Sequence, residues 1–159
     1  MYTQISQGPD ASAFHSSYQK RVARNHAWGT RSTSWWITLL LALGIIFLGT
    51  RFIVMPETGA DGFGISFVNP TDDVYGKIKG IRDIFSGLVL LPLLWKRMRT
   101  ATALVFTAAI IVPVTDGLIV LTTNGLHDVQ HLLIHWGTAA VMVATSLLLF
   151  QKTSDRSNS

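Results

Sequence analysis

Residues 35–54 read WWITLLLALGIIFLGTRFIV, and this stretch decides the fold class. Its only charge is Arg51, close to its end. A membrane-crossing helix needs about 20 predominantly apolar residues, and an arginine near the edge can snorkel its guanidinium toward water. Pro56 closes the run. Three further apolar stretches follow. The purely apolar part of the second, Ile84 to Trp95, is short for a span, and starting the helix near Tyr75 to Ile78 restores the length while drawing Arg82 and Asp83 inside. The third carries Pro113 and Asp116, and the fourth carries His135. The reading is all-α: an integral-membrane four-helix bundle with spans at about 35–54, 76–95, 101–122 and 131–150. A polar arm (1–34) precedes the bundle and a tail (151–159) follows it.

Composition agrees. Of 159 residues, 48% are hydrophobic and only 14% charged, with a mean hydropathy of +0.36. Soluble domains carry about 25% charged residues to cover their surface. The absence of cysteine removes disulfides, thiolate metal sites and cysteine nucleophiles from consideration. A net charge of +4 would suit a nucleic-acid partner, so the position of the basic residues has to decide.

Lysine and arginine in the flanks set orientation. Lys20, Arg21, Arg24 and Arg31 lie in the arm, Lys96, Arg97 and Arg99 between the second and third spans, and Lys152 and Arg156 in the tail. All of these fall on one side. The other side has Arg51, Lys77 and Lys79, offset by Glu57, Asp61, Asp72 and Asp73. Both termini are therefore expected in the cytosol. The partner implied by the basic excess is a bilayer rather than a nucleic acid. The membrane would be the endoplasmic reticulum in a eukaryote and the plasma membrane in a bacterium. A polar arm this long does not have the layout of a cleaved signal peptide; its acid-poor, arginine-bearing composition is nearer a mitochondrial presequence. Phe14, Tyr18 and Val22 recur every four residues beside basic neighbours, which fits an interfacial helix over 13–28 as well as it fits a disordered tail.

Charged groups inside a bilayer are costly and by default suggest function. With this topology Arg82 and Asp83 fall in the outer turns of the second span, Asp116 near the outer end of the third, and His131 and His135 in the first turns of the fourth. Three helices thus bring their awkward residues to one depth. Asp116 follows Pro113, which cannot donate its helical hydrogen bond and favours a kink. A carboxyl there serves either as a protonated general acid or as an anchoring anion paired with Arg82 or His135. His127, His131 and His135 lie at i, i+4 and i+8; two of them with Asp116 could share a metal, although a simple packing or capping role competes. Ser86 and Thr115 lack a supporting triad spacing and read as packing hydroxyls. Trp136 belongs either to an interfacial aromatic belt or to a π-face opposite a cation. The Gly-rich stretch 57–74 reads as a loop over the mouth of the bundle, with Phe63 and Phe67 dipping toward the bilayer; its glycine spacing follows no strand and carries no phosphate signal.

Gly49-x-Arg51-x4-Pro56, Ile81-Arg82-Asp83-x3-Gly87, Pro113-x2-Asp116 and a histidine-bearing last helix together resemble a family of small four-helix membrane proteins known as a domain of unknown function, with fungal and bacterial members. The resemblance covers about residues 35–150. It implies site roles for Arg51, Arg82, Asp83, Asp116 and His135. Some fungal members belong to natural-product pathways beside prenyltransferases and flavin epoxidases, where they are thought to cyclise or isomerise epoxidised prenyl groups.

The function expected is a cofactor-free membrane isomerase or terpene cyclase. Asp116, or else Asp83, would act as the acid, His135 with His131 as the base, and Arg82 as the orienting cation. Arg51, Trp136, Phe63 and Phe67 would contact a hydrophobic small molecule, and no metal site is assigned. Two readings compete: a non-enzymatic accessory or transport-like subunit, in which a homo-oligomer could build a pathway, and a metal-dependent oxidoreductase using the histidines.

Overall fold

The structure, a computed structural model, describes residues 14–19 and 28–151. Every regular element among them is helical. Beyond a short exposed helical segment at 14–19, the elements are α1 (Thr33–Val54), α2 (Pro56–Phe63), α3 (Asp72–Trp95), α4 (Arg99–Ala109), α5 (Ile111–Asn124) and α6 (Val129–Phe150). The interfacial helix expected over 13–28 is helical at 14–19, residues 20–27 lie outside the described residues, and Trp28 is not helical.

Three units are long and apolar enough to cross a membrane: α1, the 26 residues from Arg99 to Asn124, and α6. Large apolar side chains such as Leu40, Phe47, Leu104, Ile111, Leu133 and Leu147 are exposed on them. In water such a surface would aggregate, whereas in a bilayer it is the solvated face. The chain is an integral membrane protein. Helices α4 and α5 are one span with a break at Ile110. Pro113 has no N–H to give the Ala109 carbonyl, and the Ile110 N–H turns back to Thr107 O at 3.2 Å.

Helices α1 and α3 form the most extensive seam. The buried residues of α3 are Gly76, Gly80, Asp83, Gly87, Leu90 and Leu94, alternating in steps of four and three along one face. Missing side chains set the spacing: a Cβ on Gly80 would lie 2.6 Å from Gly49 O, and one on Gly87 would lie 2.6 Å from Ala42 O. Small residues of this kind let membrane helices approach backbone to backbone. Helix α6 packs on both α4 and α5.

The two ends of the bundle differ. At the end bearing Trp35 and Trp95, Trp28, Ala42, Leu90, Leu94, Phe106, Met142 and Leu149 form an apolar core. Trp28 is only 3% exposed and donates from Nε1 to Ser34 Oγ at 3.0 Å, so the packed unit extends into the stretch read as a polar arm. The Arg99 guanidinium donates to the carbonyls of Leu148, Leu149 and Gln151 and thereby caps α6. The opposite end holds the polar groups.

One expectation is corrected there. The sequence predicts a loop over 57–74, whereas Pro56–Phe63 forms α2. Proline occupies its first turn together with Glu57, and Gly64 ends it in the left-handed region at φ 102°. Gly59 is buried against Phe52, with a built Cβ only 3.0 Å from the ring. The glycine serves close packing of α2 on α1 rather than flexibility.

Candidate functional site

At the end of the bundle under α2, helices α3, α5 and α6 each contribute an ionisable residue. Lys79 and Asp83 stand one turn apart on α3, and the Lys79 ammonium bonds Asp83 Oδ2 at 2.7 Å. Asp83 is 6% exposed. Asp116 of α5 brings Oδ2 to 4.0 Å from the same ammonium and lies within electrostatic reach of Asp83 and His135. The ammonium also sits over two aromatic faces, 5.1 Å from the Phe52 centroid and 5.0 Å from that of Phe63, a favourable placement for a desolvated cation.

His135 of α6 completes the group. Its ring meets Phe63 edge to face at 4.7 Å, and Nε2 is 2.9 Å from Phe63 O. A carbonyl only accepts, so Nε2 carries the proton and Nδ1 is the atom free to take another. Phe63, at the last turn of α2, therefore touches both the cation and the imidazole. It faces inward, and the expectation that it dips toward the bilayer is corrected.

Beside this cluster lies an open cavity of about 450 Å³. Its walls include Phe52, Phe63, Ile65, Phe67, Tyr75 and Lys79. Phe67 rests on Gly76, where a built Cβ would fall 2.6 Å from the ring tip. The loop over the cavity is held by Asp72, whose Oδ2 accepts from the N–H groups of Val68 and Asn69 at 2.9 and 2.8 Å.

Other residues singled out in the sequence lie apart from this group. Arg82 is exposed on the side of α3 away from Asp83, as the roughly 100° between helix neighbours requires. Arg51 donates to Thr58 O at 3.0 Å and runs along Gly62, bracing α2. Trp136 packs on Gly117, the residue after Asp116. His127 precedes α6 and is exposed, so the three-histidine stripe reduces to His131 and His135. Among the described residues no three His, Asp or Glu side chains are grouped as a metal site requires.

His131 belongs to a neighbouring tether. Asp128 caps α6 and accepts from His131 Nδ1 at 2.6 Å and from Asn124 Nδ2 at 2.6 Å. Asn124 also donates to Gly64 O at 2.6 Å, while the His131 ring covers Gly64. This network ties the end of α2 to the turn between α5 and α6. The bonds from Asn124 and His131 hold the Asp128 carboxyl below the usual carboxylate range. A carboxyl so depressed on folding adds stability that is complete above its unfolded pKa and disappears as pH falls through the lower folded value. The melting temperature should therefore fall as pH drops below the ordinary carboxylate range, and Asp128→Ala should flatten that limb. Equal acid limbs for both proteins in a thermal scan would refute the tether.

The sequence reading weighs Lys79 only as a charge setting orientation and gives Phe52 no role. Both are central to the cluster. The signal available for Lys79 was its four-residue spacing from Asp83, the helical ion-pair distance.

The family model for the domain of unknown function DUF4267 matches residues 42–149, more than half of the chain. The chain belongs to the DUF4267 family. The match takes in Lys79, Asp83, Asp116, His131 and His135 and leaves Trp28 outside. No curated protein and no solved structure matches the chain significantly. DUF4267 brings no activity with it, so chemistry has to be argued from the geometry.

Proposed function

We propose that the chain is an integral-membrane isomerase or cyclase that acts by acid–base catalysis on a hydrophobic small molecule, such as an epoxidised prenyl or terpenoid side chain. The observation that carries this reading is one cation, two carboxyls and an imidazole gathered beside an aromatic cavity. Perturbing environments and convergent polar groups around an apolar pocket are the usual marks of a reactive site.

In this reading α3 is the fourth span. Its 24 residues cover about 36 Å at 1.5 Å each, and Ile78, Ile81, Phe85 and Leu88 give it an apolar exposed side. Both termini then face the cytosol, by the excess of basic residues at that end, and the site lies in the opposite leaflet. The substrate enters laterally from the bilayer.

Lys79 is committed to Asp83 by a short ion pair, so Asp116, farther from the ammonium, is the carboxyl free to exchange a proton. It gives that proton to the substrate oxygen as the C–O bond breaks. The carboxylate left behind is stabilised by Lys79, which takes the orienting role that the sequence suggested for Arg82. His135 Nδ1 accepts the proton lost by the rearranged cation. A dry aromatic wall keeps water from trapping that cation. Asp116 and His135 lie behind Lys79 and Phe63 and not in the cavity wall, so both of those side chains must shift for the substrate oxygen to reach acid and base during turnover.

A second reading is a non-enzymatic accessory subunit whose charges hold helices together. It is favoured by the pairing itself: among the described residues no buried side-chain N or O lacks a partner. Product formation in microsomes decides between the two. Asp116→Asn and His135→Ala should each reduce turnover of a prenyl epoxide by about 10²–10⁴-fold at unchanged abundance. Near-wild-type turnover in both would sink the enzyme assignment, and loss of abundance in parallel would favour the subunit.

A further inference from the structure

Within the proposed enzyme, the feature not yet explained is that the cavity and the ionisable cluster share so little wall. Asp83, Asp116 and His135 do not line the cavity, whereas Lys79 and Phe63 do. The other polar groups of the lining are largely committed. Asp72 holds two loop N–H groups, and Ser66 Oγ donates to Asp61 at 2.6 Å. Lys79 has three N–H bonds. One goes to Asp83, and at 4.0 Å Asp116 is beyond hydrogen-bond reach. Phe52 and Phe63 flank the nitrogen but accept only weakly through their faces.

We propose that Lys79 is the hydrogen-bond donor that receives the oxygen of a neutral, mainly apolar ligand in this cavity, and that the ammonium selects a ketone, epoxide, ether or ester oxygen over a carboxylate. The chemical class follows from charge. Lys79 is already balanced by the Asp83 carboxylate at 2.7 Å, so a carboxylate head finds no unpaired cation to offset its desolvation and meets the Asp83 charge behind the ammonium. A hydrocarbon would leave the ammonium N–H groups without an acceptor in an apolar wall, and a neutral oxygen satisfies them at no charge cost. The carbon body lies against Phe67, Ile65 and Tyr75. The proposal rests on the enzyme reading only for calling the ligand a substrate.

The test is competition binding to the purified full chain in detergent. Isotope-labelled methyl nonyl ketone is displaced by the unlabelled ketone, by n-undecane or by undecanoate. The wild type should prefer the ketone to either competitor by about ten-fold or more, the range of one hydrogen bond to a charged donor. Lys79→Met should reduce the preference over undecane to about one while undecane still binds, and Lys79→Arg should retain it. If Lys79→Met fails to fold with Asp83 unpaired, Lys79→Met/Asp83→Asn replaces it with the same expectation. A ketone preference that survives both variants, undecanoate outcompeting the ketone, or no saturable ketone binding by folded wild type would each overturn the proposal. Binding is read without turnover, so failure of the enzyme reading in the Asp116 and His135 assays leaves this result to stand or fall separately.

Discussion

Gly80→Leu should abolish the fold, and Gly49→Leu should do the same from the other side of the seam. The Cβ of either residue would land on the backbone oxygen of the other helix, 2.6 Å for Gly80 and 2.5 Å for Gly49. A side-chain obstacle can rotate away, but a carbonyl held in a helical ladder cannot, so α1 and α3 would have to separate. Overpacking a tight core costs about 1–3 kcal/mol when neighbours can adjust. Here the obstruction is backbone on both sides, and the seam carries Phe52, Lys79 and Asp83, so the site should be lost with it. Glycines without this constraint provide the control. Nothing lies within 4 Å of a Cβ built on Gly44 or Gly137, and alanine there should be neutral or slightly stabilising because it is the better helix former. Thermal unfolding in detergent of the four variants makes the comparison. A Gly80→Leu protein that melts with wild type would show that the two helices do not meet in this register.

Asp83→Ala is the second variant with a large expected effect. Removing one partner of a fully buried ion pair costs about 3–5 kcal/mol; here the stranded Lys79 keeps 28% of its side chain exposed, which reduces the penalty. Asp116 stands close enough to take up part of the released charge, so the lower end of that range is expected. The same principle gives the compensating experiment. In Lys79→Met/Asp83→Leu no charge is stranded, the apolar pair fills the seam, and most of the loss should be recovered. Melting temperatures of the single and double variants form the test. Equal destabilisation of single and double variants would mean that Asp83 contributes through packing or local helix structure instead of through the pair.

Much of the fold was legible because membrane crossing is a length-and-composition problem. The run from Trp35 to Val54 and the run ending at Phe150 have few alternatives once charge is scarce. Helix α2 was not legible by the same reasoning, because Gly59, Gly62 and Gly64 resemble a linker when tertiary contacts are invisible. Pro56-Glu57 followed by a glycine at 64 was a start-and-stop signature that the glycine content masked. Arg82 and Asp83 could not be separated from their adjacency alone. The glycines at 76, 80 and 87 do separate them, since Asp83 falls on that stripe and Arg82 does not. Lys79 was weighed only with Lys77 as a charge on the outer side, because hydropathy penalises a lysine whether or not a carboxylate stands one turn away. The three-histidine register failed at its first member because Asp128 caps the helix after His127.

Trp28 has a practical consequence. The family match begins at residue 42, and a truncation designed on that boundary would remove an indole that is 3% exposed, its Ser34 partner and the first turns of α1. A piece cut at residue 42 therefore loses the indole that closes the apolar core at the Trp35–Trp95 end.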